Sequence, residues 1–269
     1  MNDMIDDDTD LIVVLKGADE SDLAILADFI TDNNKGRISL DSSVRGQIDS
    51  FKRNGSLRKN HDLIAREIQE FGGNSIMNMF RGTGVPYAEI LSDVADHMNV
   101  EVDDDDTAEQ VELKILLAVA IKGMERMSPG DQREFLKQIS GGKVKGVGPG
   151  MVAALQTAIL AGGFGSYILA TTVAQAVART LIGRGLTFGA TGGLMRGISV
   201  FAGPIGWAVT AIWTAFDLAS PAYRVTVPCV VQVAYMRQKS KGGALKHCKK
   251  CNAAIFPNQK FCSECGGRA

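Results

Sequence analysis

The stretch YAEILSDVADHM (residues 87–98) decides the fold class of this chain. Its apolar residues recur at spacings of three and four, which places them on one face of an α-helix. They are Tyr87, Ile90, Leu91, Val94 and Met98. The pattern predicts an amphipathic helix whose apolar face is buried in a protein core.

The same periodicity extends through residues 1–148 and predicts a series of short amphipathic helices. We expect them at about 23–30, after Asp41, from Leu57 to Phe71, from Thr107 to Met127 and from Pro129 to about Ile139. In the helix at 23–30, the apolar face leaves Asp22 and Asp28 pointing elsewhere. The fold class that we predict is all-α.

The segment GGKVKGVGPG (residues 141–150) holds five glycines and one proline, enough to interrupt any regular element. We place a boundary there, between an acidic helical domain at 1–148 and a glycine-rich, apolar helical region at 149–240. Residues 151–178 are 28 consecutive uncharged positions, and residues 197–216 are 20 more. Each run is long enough to cross the hydrocarbon core of a membrane.

Charge divides the chain in the same place. Residues 1–148 hold 28 of the 30 acidic side chains and have a net charge of −11, whereas residues 149–269 have a net charge of +10. Either the two parts dock on each other, or the basic part meets anionic lipid. A basic stretch that leads to the C-terminus could be a membrane-proximal tether, a nucleic-acid surface or a solvated linker. Its cations are Arg237, Lys239, Lys241, Lys246, Lys249 and Lys250.

Four of the five cysteines lie close together near the C-terminus, as two CxxC pairs separated by ten residues. They are Cys248, Cys251, Cys262 and Cys265. Two such knuckles place four thiolates in a tetrahedral cage, which predicts a zinc ribbon at residues 246–269. Four protein ligands leave no open position, so the Zn²⁺ that we expect is structural. A segment this short cannot bury a core of its own, and the metal must drive its folding.

Glycine recurs at every fourth position in RGLTFGATGGLMRG (residues 184–197). This glycine ladder consists of Gly185, Gly189, Gly193 and Gly197. On a helix, these residues form a strip without side chains against which another helix can pack closely, as in the small-residue interfaces of membrane helices. The alternatives are a tightly packed hairpin in water or a flexible loop. In the first apolar run, we expect Gly162, Gly163 and Gly165 to bend the chain.

Other candidate sites give no support for an enzyme. Asp103 to Asp106 lack the glycine and the trailing glutamate of a calcium loop, so favourable charge at a helix N-terminus explains them. The glycines of residues 141–150 do not form a phosphate loop, and His61 and His97 lack a nucleophile partner. Cys229 is predicted to be a small core residue. The acidic N-terminus differs from a secretory signal, so we expect a cytoplasmic protein.

Three segments resemble the YaaW family of bacterial proteins: LIAREIQEFGGNSIMNMFRGTGVPYAEILSDVADHMNV (63–100), LMRGISVFAGPIGWA (194–208) and PAYRVTVPCVVQVAYMRQ (221–238). The N-terminal TDLIVVLKGADESDLAILADFI looks like a short helical module, placed at residues 1–40, that often begins such proteins. The resemblance covers roughly residues 10–240. The family is grouped with ubiquinol-cytochrome c chaperones, which implies a non-enzymatic helical assembly factor acting at a membrane.

We therefore expect a non-enzymatic protein whose acidic half recognises a protein partner. We expect its glycine-rich half to pack into or against the inner (cytoplasmic) membrane and to form a homo-oligomer. The zinc ribbon is expected to supply a further contact. Assembly or stress-related chaperoning is the expected use. A first alternative is a membrane-permeabilising effector that inserts a glycine-zipper hairpin. A second is nucleic-acid binding through the basic linker and ribbon.

Overall fold

The structure is a computed structural model. It describes residues 8–33, 41–73, 84–140, 142–144, 148, 150–186, 201, 203–211, 222–242, 246–251, 254–255, 262 and 265–268. The N-terminal helices are α1 (Thr9–Gly17), α2 (Glu20–Thr31), α3 (Ser42–Arg53), α4 (His61–Gly73), α5 (Tyr87–His97), α6 (Ala108–Met124) and α7 (Pro129–Ser140). A 3₁₀ turn, Leu57–Asn60, precedes α4. Then follow α8 (Met151–Leu160), α9 (Phe164–Ile182), α10 (described over 203–211) and α11 (Tyr223–Gly242). The prediction of an all-α fold is confirmed.

Local signals in the sequence set the helix starts. Asp41 caps α3 by accepting a hydrogen bond from the Ser43 backbone N–H at 2.7 Å. Thr107 and Gln110 form a reciprocal capping box at the start of α6. In α5 the predicted face is buried from Tyr87 to Val94, and Met98 packs against the same core from the helix end. The helices predicted from periodicity and caps are therefore present.

Helix α11 is the centre of the bundle. It packs against α1, α2, α4, α5, α6 and α9, and its residues from Val225 to Met236 are buried. Cys229 is fully buried among them, as predicted for a core residue. Burial of one Val- or Leu-sized side chain contributes about 1.5–3 kcal/mol, so this one helix provides a large share of the driving force for folding.

The first apolar run is divided into α8 and α9 by an elbow of 105°. Gly162 and Gly163 form it with φ angles of +76° and +95°, which L side chains rarely adopt. The predicted bend is confirmed at Gly162 and Gly163, whereas Gly165 lies within α9 and does not contribute to it. Every residue of α9 from Ser166 to Ala178 is buried, whereas α8 exposes Val152, Ala153 and Ala154.

Among the described residues, no single helix meets the length and hydropathy expected of a membrane span. Helices α8 and α9 meet the criterion only when they are taken together across their elbow.

Two glycines allow helices to approach closely. A Cβ atom at Gly165 in α9 would lie 2.0 Å from the Ile139 carbonyl oxygen of α7. A Cβ atom at Gly123 in α6 would lie 2.9 Å from the Ile205 Cα atom of α10. Arg126, in the turn after α6, stacks over the Trp207 ring at 4.1 Å and adds a second contact with α10.

One hydrophobic cluster contains buried residues from Leu11 to Met236 and therefore includes helices on both sides of residues 141–150. The domain boundary that we place at residues 141–150 stays a prediction, since the two parts share this cluster. Cys248 and Cys262 form a separate small cluster with Cys265. The C-terminal segment thus has its own packing centre.

Candidate metal centre and charged helix interface

The C-terminal cysteines converge at the end of a short β-hairpin. Strands β1 (Lys246–His247) and β2 (Ala254–Ile255) are antiparallel, with Lys246 opposite Ile255 and His247 opposite Ala254. Cys248 follows β1 directly and begins the first knuckle turn. The side chain of His247 lies outside the described part of the chain.

The second knuckle is closed by backbone hydrogen bonds. The Cys262 N–H donates to the Gly267 carbonyl at 2.7 Å, and the Gly266 N–H donates to the Cys262 carbonyl at 2.9 Å. Gly266 has a φ angle of +67°, a conformation that favours glycine. Both glycines after Cys265 therefore help to close the second knuckle, Gly266 through its positive φ angle and Gly267 through its carbonyl oxygen.

The four sulfur atoms lie within 4.8 Å of one another. The Sγ atoms of Cys248 and Cys265 are 3.5 Å apart, and so are those of Cys251 and Cys262. Metal–sulfur bonds of about 2.3 Å in a tetrahedron place the sulfurs roughly 3.8 Å apart. The cluster therefore fits a tetrahedral metal ion, and it unites the four cysteines selected from the sequence.

The backbone around Cys248 favours the thiolate form of this side chain. Backbone N–H groups of Cys251 and Lys250 point to the Cys248 sulfur and lower its pKa to about 6. The Lys250 nitrogen lies 3.4 Å from that sulfur. A thiolate is the form that binds metal, so the knuckle backbone prepares this ligand at neutral pH.

The glycine ladder is described only at its first member. Gly185 lies beyond the end of α9, where a Cβ atom would come within 2.3 Å of the Gln175 side-chain nitrogen. Gly185 is thus not part of a helical strip, although it does allow close packing. Gly189, Gly193 and Gly197 lie outside the described residues, and the ladder itself remains a prediction.

Oppositely charged side chains from the two parts of the chain meet in the bundle. The Arg237 guanidinium of α11 binds both carboxylate oxygens of Glu112 in α6, at 2.8 and 3.0 Å. The Tyr87 hydroxyl donates to the same carboxylate at 2.9 Å. Burial raises the pKa of Glu112, while Arg237 and Tyr87 oppose that shift.

Lys239 makes the next contact along α11. Its ammonium group binds the carboxylates of Asp19 and Asp22 at 2.8 and 2.7 Å. Lys239 lowers the pKa of Asp19, whereas burial raises the pKa of Asp22. Lys241, one turn away from Arg237, pairs with Glu109.

A third contact joins α2 to α3 and to the end of α9. Asp28 pairs with Lys52 and with Arg184, whose Nε atom lies 2.7 Å from the carboxylate. The periodicity places Asp22 and Asp28 off the apolar face of their helix, and the structure shows that both are nevertheless buried. Their carboxylates can be buried because cations from distant parts of the chain neutralise them.

The charge division leaves open whether the two parts of the chain dock on each other, and these ion pairs show that they do. Arg184, Arg237, Lys239 and Lys241 of the basic part dock on carboxylates of the acidic part. The interpretation of residues 237–241 as a solvated linker is therefore wrong, because they belong to α11 and are paired. At the start of α6, Lys114 similarly binds Asp103 and Asp106.

The fold and the cysteine cluster together define a helical-bundle protein with a C-terminal module suited to binding a metal ion. The family model described as "Ubiquinol-cytochrome C chaperone" matches residues 57–231. A UPF0174 protein of Helicobacter pylori is 35% identical over 229 residues, which cover 84% of this chain and 90% of that protein. UPF0174 protein YaaW of Escherichia coli is 30% identical over 246 residues, 88% of this chain and 96% of that protein.

The chain therefore belongs to the YaaW (UPF0174) family and, through the family model, to the wider ubiquinol-cytochrome C chaperone group. The resemblance drawn from the three sequence segments is confirmed. No solved structure matches the chain.

Proposed function

We propose that the chain is a non-enzymatic, chaperone-like assembly factor that works at or near the cytoplasmic membrane. The match of residues 57–231 to the chaperone family carries the proposal, because it extends from the turn before α4 into α11. The matched region thus includes α4 to α9 and the first half of the central helix α11.

The partner that we propose is a protein with a cationic surface. A groove of about 780 Å³ lies between α5 and α6, and its lining combines apolar and acidic side chains. Val100 and Val102 contribute apolar surface, while Asp96 and Asp104 contribute charge. Such a surface complements a basic, amphipathic segment of a partner.

Zinc is the metal that we propose for the cysteine cluster. Four thiolates in a tetrahedral set match the preference of Zn²⁺, and a closed set supports a structural role. The four cysteines would hold the ion and thereby fix both knuckles. The ribbon then offers a further contact surface next to the C-terminal end of α11.

The two alternative functions have less support. Insertion of the apolar region into a membrane requires α9 to leave a core in which residues 166–178 are buried. Nucleic-acid binding through the basic stretch has less support because three of its cations, Arg237, Lys239 and Lys241, already pair with carboxylates. The glycine ladder remains our proposal for homo-oligomer contacts, to be tested by measuring the mass of Gly189→Leu and Gly193→Leu variants in solution.

Cell fractionation and cross-linking test the main proposal. We expect the native protein to sediment with membranes, to be released by carbonate or detergent, and to cross-link to a partner through residues 101–106. Asp104→Lys should weaken that cross-link. Glu134→Lys, on the exposed face of α7, should leave it unchanged and serves as a control. Full recovery in the soluble fraction with no Asp104-dependent cross-link contradicts the proposal. The alternative effector would instead release dye from vesicles of anionic lipid.

A further inference from the structure

We propose that the cysteine cluster is also an oxidation site, at which peroxide joins Cys251 to Cys262 first and Cys248 to Cys265 second, with release of the metal. The release step rests on the zinc centre proposed above. The order and the pairing rest on the arrangement of the sulfur atoms and can be tested without metal.

Two of the sulfur pairs within contact distance each join one knuckle to the other. Cys251 and Cys262 are 3.5 Å apart, as are Cys248 and Cys265. Each pair combines a more exposed cysteine with a buried one: Cys251 is exposed and Cys265 is partly exposed, whereas Cys248 and Cys262 are buried. An oxidant from solvent therefore meets Cys251 first and finds its partner sulfur already in place.

The chemistry needs one peroxide for each pair. The Cys251 thiolate attacks a peroxide oxygen, the O–O bond breaks, and a sulfenic acid and hydroxide form. The Cys262 thiolate then attacks that sulfur, the S–O bond breaks, and a second hydroxide leaves as the disulfide forms. Two protons convert the hydroxides to water, and the sulfur pair loses the two electrons that peroxide gains.

The loss of two thiolates leaves only two ligands, which cannot retain a structural zinc ion. Among the described residues, the packing centre of this segment consists of cysteines alone, so loss of the metal removes what folds it. The helical bundle has a separate core and keeps its structure. Oxidation would thus change the C-terminal module without unfolding the rest.

The test uses the full-length protein purified under reducing conditions, with its zinc content measured first. Hydrogen peroxide is added stepwise, up to about two equivalents per chain, zinc release is followed with a chromogenic chelator, and disulfides are mapped by mass spectrometry at each step. We expect the Cys251–Cys262 disulfide to appear first, zinc to fall from about one per chain to near zero, and far-UV circular dichroism to change little. Cys229→Ala is the matched control, because Cys229 is buried in the bundle and should not alter either readout.

The outcomes separate the two proposals. Protein that contains zinc but keeps it, or that first forms a Cys248–Cys251 disulfide, overturns the oxidation site and leaves the zinc centre intact. Protein purified without zinc contradicts the zinc centre. The order of disulfides in that metal-free protein still supports or overturns the proposed pairing.

Discussion

Arg237 and Glu112 lie 125 positions apart in the chain and form a two-pronged ion pair in which the carboxylate is fully buried. The pair joins the central helix α11 to α6, and Tyr87 of α5 binds the same carboxylate. Three helices are therefore held by one buried charge. A buried carboxylate is tolerated only while its cation remains.

Arg237→Met should accordingly lower the free energy of unfolding by about 3–5 kcal/mol, since it leaves Glu112 buried and unpaired. Urea denaturation followed by circular dichroism measures this loss. The double variant Glu112→Leu with Arg237→Met should recover part of it. As a control, Lys122→Ala breaks the exposed pair with Glu125 and should cost at most about 1 kcal/mol. Similar losses for Arg237→Met and Lys122→Ala would show that burial of the Arg237–Glu112 pair is unimportant for stability.

Removal of one cysteine ligand should abolish metal binding and leave the bundle folded. Cys262→Ser should reduce zinc from about one equivalent per chain to almost none, because a structural site needs all four ligands. Metal analysis by mass spectrometry and circular dichroism of the same sample provide the two readouts. Cys229→Ala should retain the metal. Equal zinc content in the two variants would contradict the assignment.

Gly165→Ala tests the close approach of α9 to α7. The added Cβ atom would lie 2.0 Å from the Ile139 carbonyl oxygen, so the helices must separate. We expect a loss of about 1–3 kcal/mol in the free energy of unfolding, typical of overpacking. Gly46→Ala in α3 meets no atom within 4 Å and should stabilise the helix by about 0.5–1 kcal/mol. Thermal unfolding of both variants distinguishes close packing from glycine flexibility.

Glu67 makes stability depend on pH. Burial raises the pKa of this α4 carboxyl to about 7, with a smaller contribution from Glu70. The folded state therefore binds the proton more tightly than the unfolded state, whose carboxyl has a pKa near 4.5. The stabilisation is complete below that value and is lost as the pH rises through about 7.

Glu67→Gln should thus stabilise the protein relative to wild type by about 1–3 kcal/mol more at pH 8 than at pH 5. Denaturant titrations of both proteins at the two pH values measure the difference. Glu134→Gln on the exposed face of α7 controls for the loss of a charge. A pH-independent gain for Glu67→Gln would show that this carboxyl is ionised at both pH values.

Local rules were sufficient for the helices and for the cysteine set. The apolar face from Tyr87 to Val94, the Asp41 and Thr107 caps and the CxxC spacing each depend on residues that are close in sequence. The buried charges could not be predicted in this way. Asp28 is on the side of its helix that sequence periodicity marks as polar, and its partner Arg184 is 156 positions away.

Composition also could not show what the apolar runs contact. The 28 uncharged residues from 151 to 178 have the length of a membrane span, but the left-handed glycines at 162 and 163 turn the chain by 105°. Helix α9 then buries its apolar surface against α11, α6 and α7. An apolar face has the same sequence pattern whether lipid or another helix covers it, so only the tertiary structure distinguishes the two.

The central position of α11 has a consequence for synthesis on the ribosome. Its partners α1, α2, α4, α5 and α6 all emerge before it, and the surfaces that they bury against α11 stay uncovered until residues 223–242 arrive. Closure of the bundle must therefore wait until α11 has been translated, because these contacts are far apart in sequence. Until then the nascent chain carries unburied apolar surface, and a truncation before α11 should produce an insoluble polypeptide.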